Sequence, residues 1–120
     1  MFNDEIKKAI GAHGRWKGRL TLAIETGKSE FTPDKVSADR HCDFGQWLYG
    51  PTIPGAEKAG EHYTAVQKLH AEFHKIAGDV LSLALAGKKD EARKLMGAKS
   101  RYLAVSAALT GAMMKWERAA

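Results

Sequence analysis

Four side chains in the sequence have the donor atoms and the spacing of a metal site. His70 and His74 lie four residues apart, so on a helix both imidazole rings project from one face, about one turn apart. His13 interrupts an earlier apolar stripe, and Cys42 begins a short element that would hold a thiolate rigidly. Three imidazoles and one thiolate form a closed shell of the kind that zinc prefers. The predicted zinc ligands are His13, Cys42, His70 and His74.

Each of these residues also has an interpretation without a metal. A single inward histidine is more often a hydrogen-bonded core residue, and a single cysteine is more often a small buried hydrophobic side chain. The pair is more informative, because desolvated imidazoles at His70 and His74 repel each other when both are protonated. The four residues together favour a metal, since helical phase turns three of them inward.

The helices that must position these ligands are visible as apolar stripes. The first stripe recurs at intervals of three and four residues. It comprises Phe2, Ile6, Ile10, His13, Lys17, Leu20 and Ile24. Asn3 or Asp4 is expected to cap the start of this helix, and Gly27 is expected to end it, because glycine tolerates the left-handed conformation that closes a helix.

Two further long helices are predicted towards the C-terminus. One begins at about Ala56 or Glu61 and ends at Ala86. Its apolar side carries Val66, His70, Phe73, Ala77, Val80 and Ala84, with Leu69 adjoining. The other runs from about Asp90 to Trp116. Its apolar face carries Leu95, Tyr102, Leu109, Met113 and Trp116.

The stretch between the first and second long helices is predicted to contain only short elements. Residues 28–40 are polar, and Thr32 followed by Pro33 predicts a single helical turn within a loop. The segment 42–49 is closed by Gly50 and Pro51, which limits it to two turns at most. The predicted fold is therefore all-α: an antiparallel helical bundle of three long helices plus short helical segments, with the zinc site in the bundle. Residues 1–120 are expected to form one domain.

Composition excludes several classes of protein. The net charge of +5 and the pI of about 9.4 invite a nucleic-acid interpretation, but acidic residues are interleaved and no nucleic-acid-binding motif is present. Apolar stretches are too short for membrane insertion, and the first residues lack the apolar core of a signal peptide. The single cysteine excludes an internal disulfide, so a cytoplasmic location is expected.

Three motifs in combination resemble the chemoreceptor zinc-binding family over nearly the whole chain. They are His13-x-x-Trp16-Lys17-x-Arg19, Cys42-x-Phe44-Gly45-x-Trp47-Leu48-Tyr49-Gly50 and His70-x-x-x-His74. The resemblance implies that one histidine of the first helix, the cysteine and the histidine pair bind zinc, which selects the same four residues. His41 and His62 match no ligand position, and both are expected to face solvent; an alternative for His41, which is adjacent to Cys42, is a spare ligand or a local influence on the thiolate.

The resemblance also implies a regulatory sensor. Family members are attached to bacterial chemoreceptors or diguanylate cyclases, or stand alone, and respond to zinc or to oxidants such as hypochlorous acid. A homodimer is implied, with the first and last helices as candidate faces. This sequence contains neither a receptor's long signalling coiled coil nor a cyclase domain, so a free-standing member or a piece of a longer protein is expected. Its output is expected to be a chemotaxis or cyclic-di-GMP signalling partner.

A switch is physically plausible because oxidation of Cys42 to a sulfenic acid would weaken its bond to zinc. That loss would free the segment 42–49 while the long helices stay packed. The alternative is a purely structural zinc in a bundle that acts as a dimerisation or interaction module.

Two other classes fit less well. A di-iron oxygen carrier would need bridging carboxylates and has no use for Cys42. A zinc hydrolase would need an open coordination position, which four protein ligands leave no room for. We therefore expect no enzymatic activity.

Overall fold

Seven helices make up the regular secondary structure of the computed structural model, which describes residues 2–119 apart from the side chain of Phe2. In chain order they are α1 (Phe2–Thr26), α2 (Pro33–Ser37), α3 (Asp43–Tyr49), α4 (Gly55–Lys58), α5 (Glu61–Leu85), α6 (Lys89–Met96) and α7 (Arg101–Ala119). No strand occurs within residues 2–119. The predicted all-α fold is confirmed.

Contacts between α1, α5 and α7 show how these long helices are oriented. Against α1, helix α7 is antiparallel: Lys7 lies 3.8 Å from Glu117, and His13 bonds Ser106. It is antiparallel to α5 as well, since the aromatic pairs are Tyr63 with Trp116 and Phe73 with Tyr102. In contrast, α1 and α5 run in the same direction, with His13 against Phe73 and Trp16 against His74. The chain between α1 and α5 returns along the bundle, which allows this parallel pair.

The local signals at the end of α1 and the start of α2 are confirmed. Gly27 has a φ of 71°, and its amide bonds the Ala23 carbonyl, as expected of a glycine that closes a helix. The Thr32 side chain accepts a hydrogen bond from the Lys35 amide, with Pro33 at the first position of α2. The cap predicted at Asn3 or Asp4 is wrong, because α1 already includes both residues.

The predicted stripe of α1 is mostly correct, with one shift of phase. Ile6, Leu20 and Ile24 are buried, whereas the Phe2 side chain lies outside the described part. Lys17 is exposed, and Trp16 points into the core in its place. The long aliphatic stem of lysine tolerates either face, so its position in a stripe is a weak indicator.

The helix predicted from Asp90 to Trp116 is in fact two helices, α6 and α7. Gly97 ends α6, Lys99 has a φ of 64°, and the Ser100 hydroxyl then accepts a hydrogen bond from the Leu103 amide to begin α7. The break changes the helical phase, so Met96 is buried while Leu95 is exposed. Apolar residues of α5 agree with the prediction, and that helix begins at Glu61 after the separate α4.

None of the helices within residues 2–119 combines the length and the apolar character that a membrane span requires. Buried side chains come from α1, α5 and α7, with smaller contributions from the short helices. The buried residues nearest the middle of α5 are the ones that surround the candidate site.

Candidate metal centre

Helix α5 presents two buried imidazoles side by side. His70 and His74 are only 4% and 3% exposed, and their ring centroids lie 4.5 Å apart. Their positions follow from the apolar stripe of α5, since Val66, Phe73 and Ala77 of the same helix are buried around them. Two unprotonated ring nitrogens are thus fixed on a regular helix.

Cys42 faces these imidazoles from the start of α3. Its Sγ lies 3.4 Å from Nε2 of His70 and 3.6 Å from Nε2 of His74. The three donor atoms all lie within 4.8 Å of one another. Cys42 also caps α3, because its sulfur accepts a hydrogen bond from the Gly45 amide at 3.3 Å. The thiol is therefore held by its own helix and directed at α5.

Gly45 is required for this arrangement because the backbone of Asp39 packs directly against it. A Cβ atom at Gly45 would lie 1.8 Å from the Asp39 carbonyl oxygen, which no real contact allows. The absence of a side chain thus lets residues 39–42 fold back over the first turn of α3. Gly45 of the Cys42-x-Phe44-Gly45 motif is therefore needed for the packing of residues 39–42, the loop that carries Cys42.

Helix α2 orients His74 from its other side. Nδ1 of His74 donates a hydrogen bond to the Val36 carbonyl oxygen at 2.9 Å, so the proton lies on Nδ1 and Nε2 keeps its lone pair for a metal. This contact requires α2 to pack closely on α5. Gly78 permits it, because a Cβ there would lie 1.9 Å from the Ser37 hydroxyl oxygen.

His70 has a weaker outer partner. Its Nδ1 lies 3.9 Å from Oδ2 of Asp39, and this buried nitrogen has no hydrogen-bond partner within residues 2–119. Asp39 is itself held by the Tyr49 hydroxyl, which donates to the same carboxylate oxygen. A carboxylate next to the outer nitrogen of a metal-binding imidazole favours the tautomer that leaves the inner nitrogen free.

His13 lines the same cavity but stands apart from the three-residue group. Its Nε2 lies 2.9 Å from the Ser106 hydroxyl of α7, and its ring packs on Phe73 with a centroid distance of 4.2 Å. The group of donors within mutual reach comprises Cys42, His70 and His74 and does not include His13. The cavity that all four residues line has a volume of about 560 Å³.

Burial sets the protonation of the site. Burial, together with the neighbouring His74 and against the opposing effect of Asp39, lowers the pKa of His70 to about 3. Burial likewise lowers the pKa of His74 and of His13, against the hydrogen bonds to Val36 and Ser106. All three imidazoles are consequently neutral at pH 7, the form that binds metals. Burial raises the pKa of the Cys42 thiol, although the Gly45 amide opposes the shift.

The donor atoms fit zinc in type and in spacing. With zinc–sulfur bonds of about 2.3 Å and zinc–nitrogen bonds of about 2.1 Å, the sulfur–nitrogen edge of a tetrahedral shell is about 3.6 Å. The separations of Cys42 Sγ from the two Nε2 atoms are 3.4 and 3.6 Å. A soft thiolate with imidazoles is also the donor set that zinc favours. Three of the four predicted ligands thus lie where they could hold one zinc ion together.

The remaining histidines do not take part in this group. His41 is exposed, as predicted, whereas His62 is partly buried, so its expected exposure is only partly correct. The residues that orient the ligands were not predicted from the sequence; they are Val36, Asp39 and Ser106. Val36 acts through its backbone and Ser106 lies on a distant helix, so neither carries a signal in sequence. Asp39, three residues before Cys42, was the one that spacing could have suggested.

A comparison with protein families agrees with this chemistry. The family model described as the chemoreceptor zinc-binding domain matches residues 13–81, more than half of the chain. The matched stretch begins at His13 and contains Cys42, His70 and His74. No curated protein and no solved structure matches the chain significantly.

Proposed function

Because the chain belongs to the chemoreceptor zinc-binding domain family, we propose that its zinc site is an oxidant-responsive switch that regulates a signalling protein. The family is a regulatory one whose members bind zinc and occur in chemoreceptors and other signalling proteins. The observation that carries the proposal is the position of Cys42: the chain's single thiol contacts both buried imidazoles of α5. Any chemistry at this sulfur therefore changes the metal site.

His13 is proposed as the fourth ligand. It is buried, neutral at pH 7 and lines the cavity that contains the other three donors. Ligation through Nε2 of His13 would require its ring to exchange the Ser106 hydroxyl for the metal, whereas ligation through Nδ1 would keep that hydrogen bond. In the first case, Ser106 would form this hydrogen bond with His13 again when the coordination shell opens.

Bound zinc keeps Cys42 as a thiolate and joins the start of α3 to α5. The proposed signal is an oxidant such as hypochlorous acid. The Cys42 thiolate and hypochlorous acid give a sulfenic acid and chloride: a sulfur–oxygen bond forms, the oxygen–chlorine bond breaks, and its electron pair leaves with chloride. The product is a poorer ligand than a thiolate.

The fold favours a local response to this oxidation. The far end of α3 is anchored by the fully buried Leu48, whose carbonyl accepts a hydrogen bond from the Tyr63 hydroxyl at 2.8 Å. The near end depends on Phe44 and on the contacts of Cys42 with α5. Loss of the sulfur contacts would release the near end while the long helices keep their packing.

The proposed output is a chemotaxis or cyclic-di-GMP signalling protein, with this domain acting as a cytoplasmic homodimer. These proposals rest on family membership. The competing proposal, a purely structural zinc, predicts that oxidation unfolds the bundle. Against it, the apolar core of α1, α5 and α7 extends well beyond the ligands, so folding should not depend on the metal.

The test is metal content by mass spectrometry on untagged protein, followed by titration of the same sample with hypochlorous acid. One zinc per chain is expected, and a stoichiometric dose should place a sulfenic acid on Cys42. Trp47 fluorescence should change while far-ultraviolet circular dichroism stays nearly constant. Mass mapping must follow the four methionines, and Met114→Leu, which removes an exposed competing thioether, is the matched control.

The outcomes separate the proposals. Oxidation of methionines while Cys42 stays reduced and zinc-bound would overturn the oxidant switch. A loss of helicity in step with loss of zinc would favour the structural role.

A further inference from the structure

The cavity that reaches the metal ligands opens between three cationic side chains. Arg15 and Arg19 lie four residues apart on α1, and Lys35 lies on α2; all three are exposed and line the cavity. Asp43 is the only carboxylate among the lining residues within 2–119. The mouth therefore carries an excess of positive charge next to the donors.

Ion pairing within the fold does not explain why these three cations cluster. None of them forms an ion pair with a carboxylate within residues 2–119. Arg19 is nevertheless held in place, because its guanidinium lies 5.1 Å from the ring centroid of Trp16 and 5.3 Å from that of Phe31. A charge that is ordered but unpaired is available to a ligand.

We propose that Arg15, Arg19 and Lys35 form a binding site for small anions at the cavity mouth, which selects anionic over neutral reactants for Cys42. A concave site with one sign of charge and low-dielectric walls concentrates counter-ions. The cations line a cavity of about 560 Å³ and not a flat strip, which favours a small anion over a polyanion. The physiological meaning of this site, selection of an anionic oxidant such as hypochlorite, the conjugate base of hypochlorous acid, rests on the proposed function.

A pair of thiol reagents that differ in charge tests the site directly. Iodoacetate and iodoacetamide both alkylate Cys42 by displacing iodide, and the chain has no other thiol. The quantity compared is the rate constant for iodoacetate divided by that for iodoacetamide. Both reagents react with the thiolate, so the fraction of thiolate cancels in this ratio. In metal-free protein, with helicity checked by circular dichroism, this ratio should exceed that of the urea-unfolded chain by about threefold or more at low salt. Added salt should reduce the excess.

Variants locate the effect. Neutralising all three cations (R15Q, R19Q, K35Q) should return the ratio to that of the unfolded chain, because any change in the thiolate fraction alters both rates equally and cancels in the ratio. Because Arg19 also packs on aromatic rings, the double variant R15Q, K35Q keeps that packing and should lose most of the excess. The matched control neutralises three exposed lysines that do not line the cavity, K88Q, K94Q and K115Q, and should keep the parent ratio.

A second measurement uses the zinc-loaded protein. Trp16 is the one of the three tryptophans that lines the cavity, so iodide should quench the total tryptophan fluorescence more strongly, relative to neutral acrylamide, in the parent than in the triple variant. Equal ratios in parent and triple variant, or an equal fall in the control, would overturn the anion site. If the protein contains no zinc but the ratios are as expected, the proposed function is wrong and the anion site is still supported.

Discussion

The two sides of the metal site are built in opposite ways. On one side, His70 and His74 are part of a 25-residue helix whose buried apolar residues extend far beyond them. On the other side, Cys42 caps a seven-residue helix held at its far end by Leu48 and Tyr63. The imidazoles therefore belong to the frame of the bundle, whereas the thiol lies on an element that the site itself helps to hold.

This difference determines where a chemical change at a ligand can move part of the backbone. Opening a ligand bond at α5 would leave the helix in place, because its apolar packing does not depend on the bond. Opening the bond at Cys42 would remove one of the few contacts that hold the start of α3. A site of this kind responds at the residue that is both reactive and weakly anchored.

The largest expected effect is on zinc affinity. Cys42→Ala and His74→Ala should each lower it by at least about a hundredfold, because each removes one donor of the shell. Competition with a chromophoric chelator measures the loss. His41→Ala is the matched control, since His41 is exposed and outside the donor group, and should bind as the parent does. Parent-like affinity in both ligand variants would contradict the assignment.

A pair of glycine variants sharpens the contrast between the ligand loop and the long helices. Gly45→Ala should lower the free energy of unfolding by about 1–3 kcal/mol, because the new methyl group collides with the Asp39 carbonyl. Gly18→Ala, in α1 and with open space at its Cβ position, should raise it by about 0.5–1 kcal/mol. Urea denaturation of both variants measures the difference. Equal effects would show that the loop is not closely packed.

The pH dependence of zinc binding distinguishes the thiol from the imidazoles. Because the pKa of Cys42 is raised and those of the histidines are lowered, only the thiol must lose a proton near pH 7. Affinity should therefore rise about tenfold per pH unit between about pH 7 and about pH 8, with about one proton released per zinc. Calorimetry in buffers of different ionisation enthalpy counts the protons. Release of two or more would mean that an imidazole is also protonated in the free site.

The smallest expected effect concerns Asp39. Asp39→Asn should lower zinc affinity by about fivefold, below the range usual for well-bonded outer partners, because its carboxylate lies 3.9 Å from His70 Nδ1. Asp79→Asn, an exposed change of the same kind on α5, is the control. An effect of Asp79→Asn equal to that of Asp39→Asn would indicate a general loss of negative charge and no positioning role.

The parts predictable from sequence were those with a repeating signal. The stripe of α5 predicted which residues are buried, including His70, and helical spacing brought His74 to its side. The break at Gly97 was missed, because a lone glycine does not end a helix unless a cap such as Ser100 follows.

The loop around Cys42 was harder to predict because it has no repeating signal. Its shape depends on a contact between backbone atoms, Gly45 against Asp39, and such contacts leave no periodic pattern. The role of Ser106 was beyond reach, since it lies 93 residues from His13.

Gly78 shows how natural selection on a site can oppose selection on a fold. In the middle of α5, glycine costs about 0.5–1 kcal/mol relative to alanine, so a random mutation to alanine would make the isolated helix more stable. The same mutation would displace the Ser37 hydroxyl and crowd the Pro33 carbonyl, both on α2, whose Val36 carbonyl orients His74. Drift towards greater helix stability at this position would therefore erode metal binding, and only a lineage that no longer uses the site could accept it.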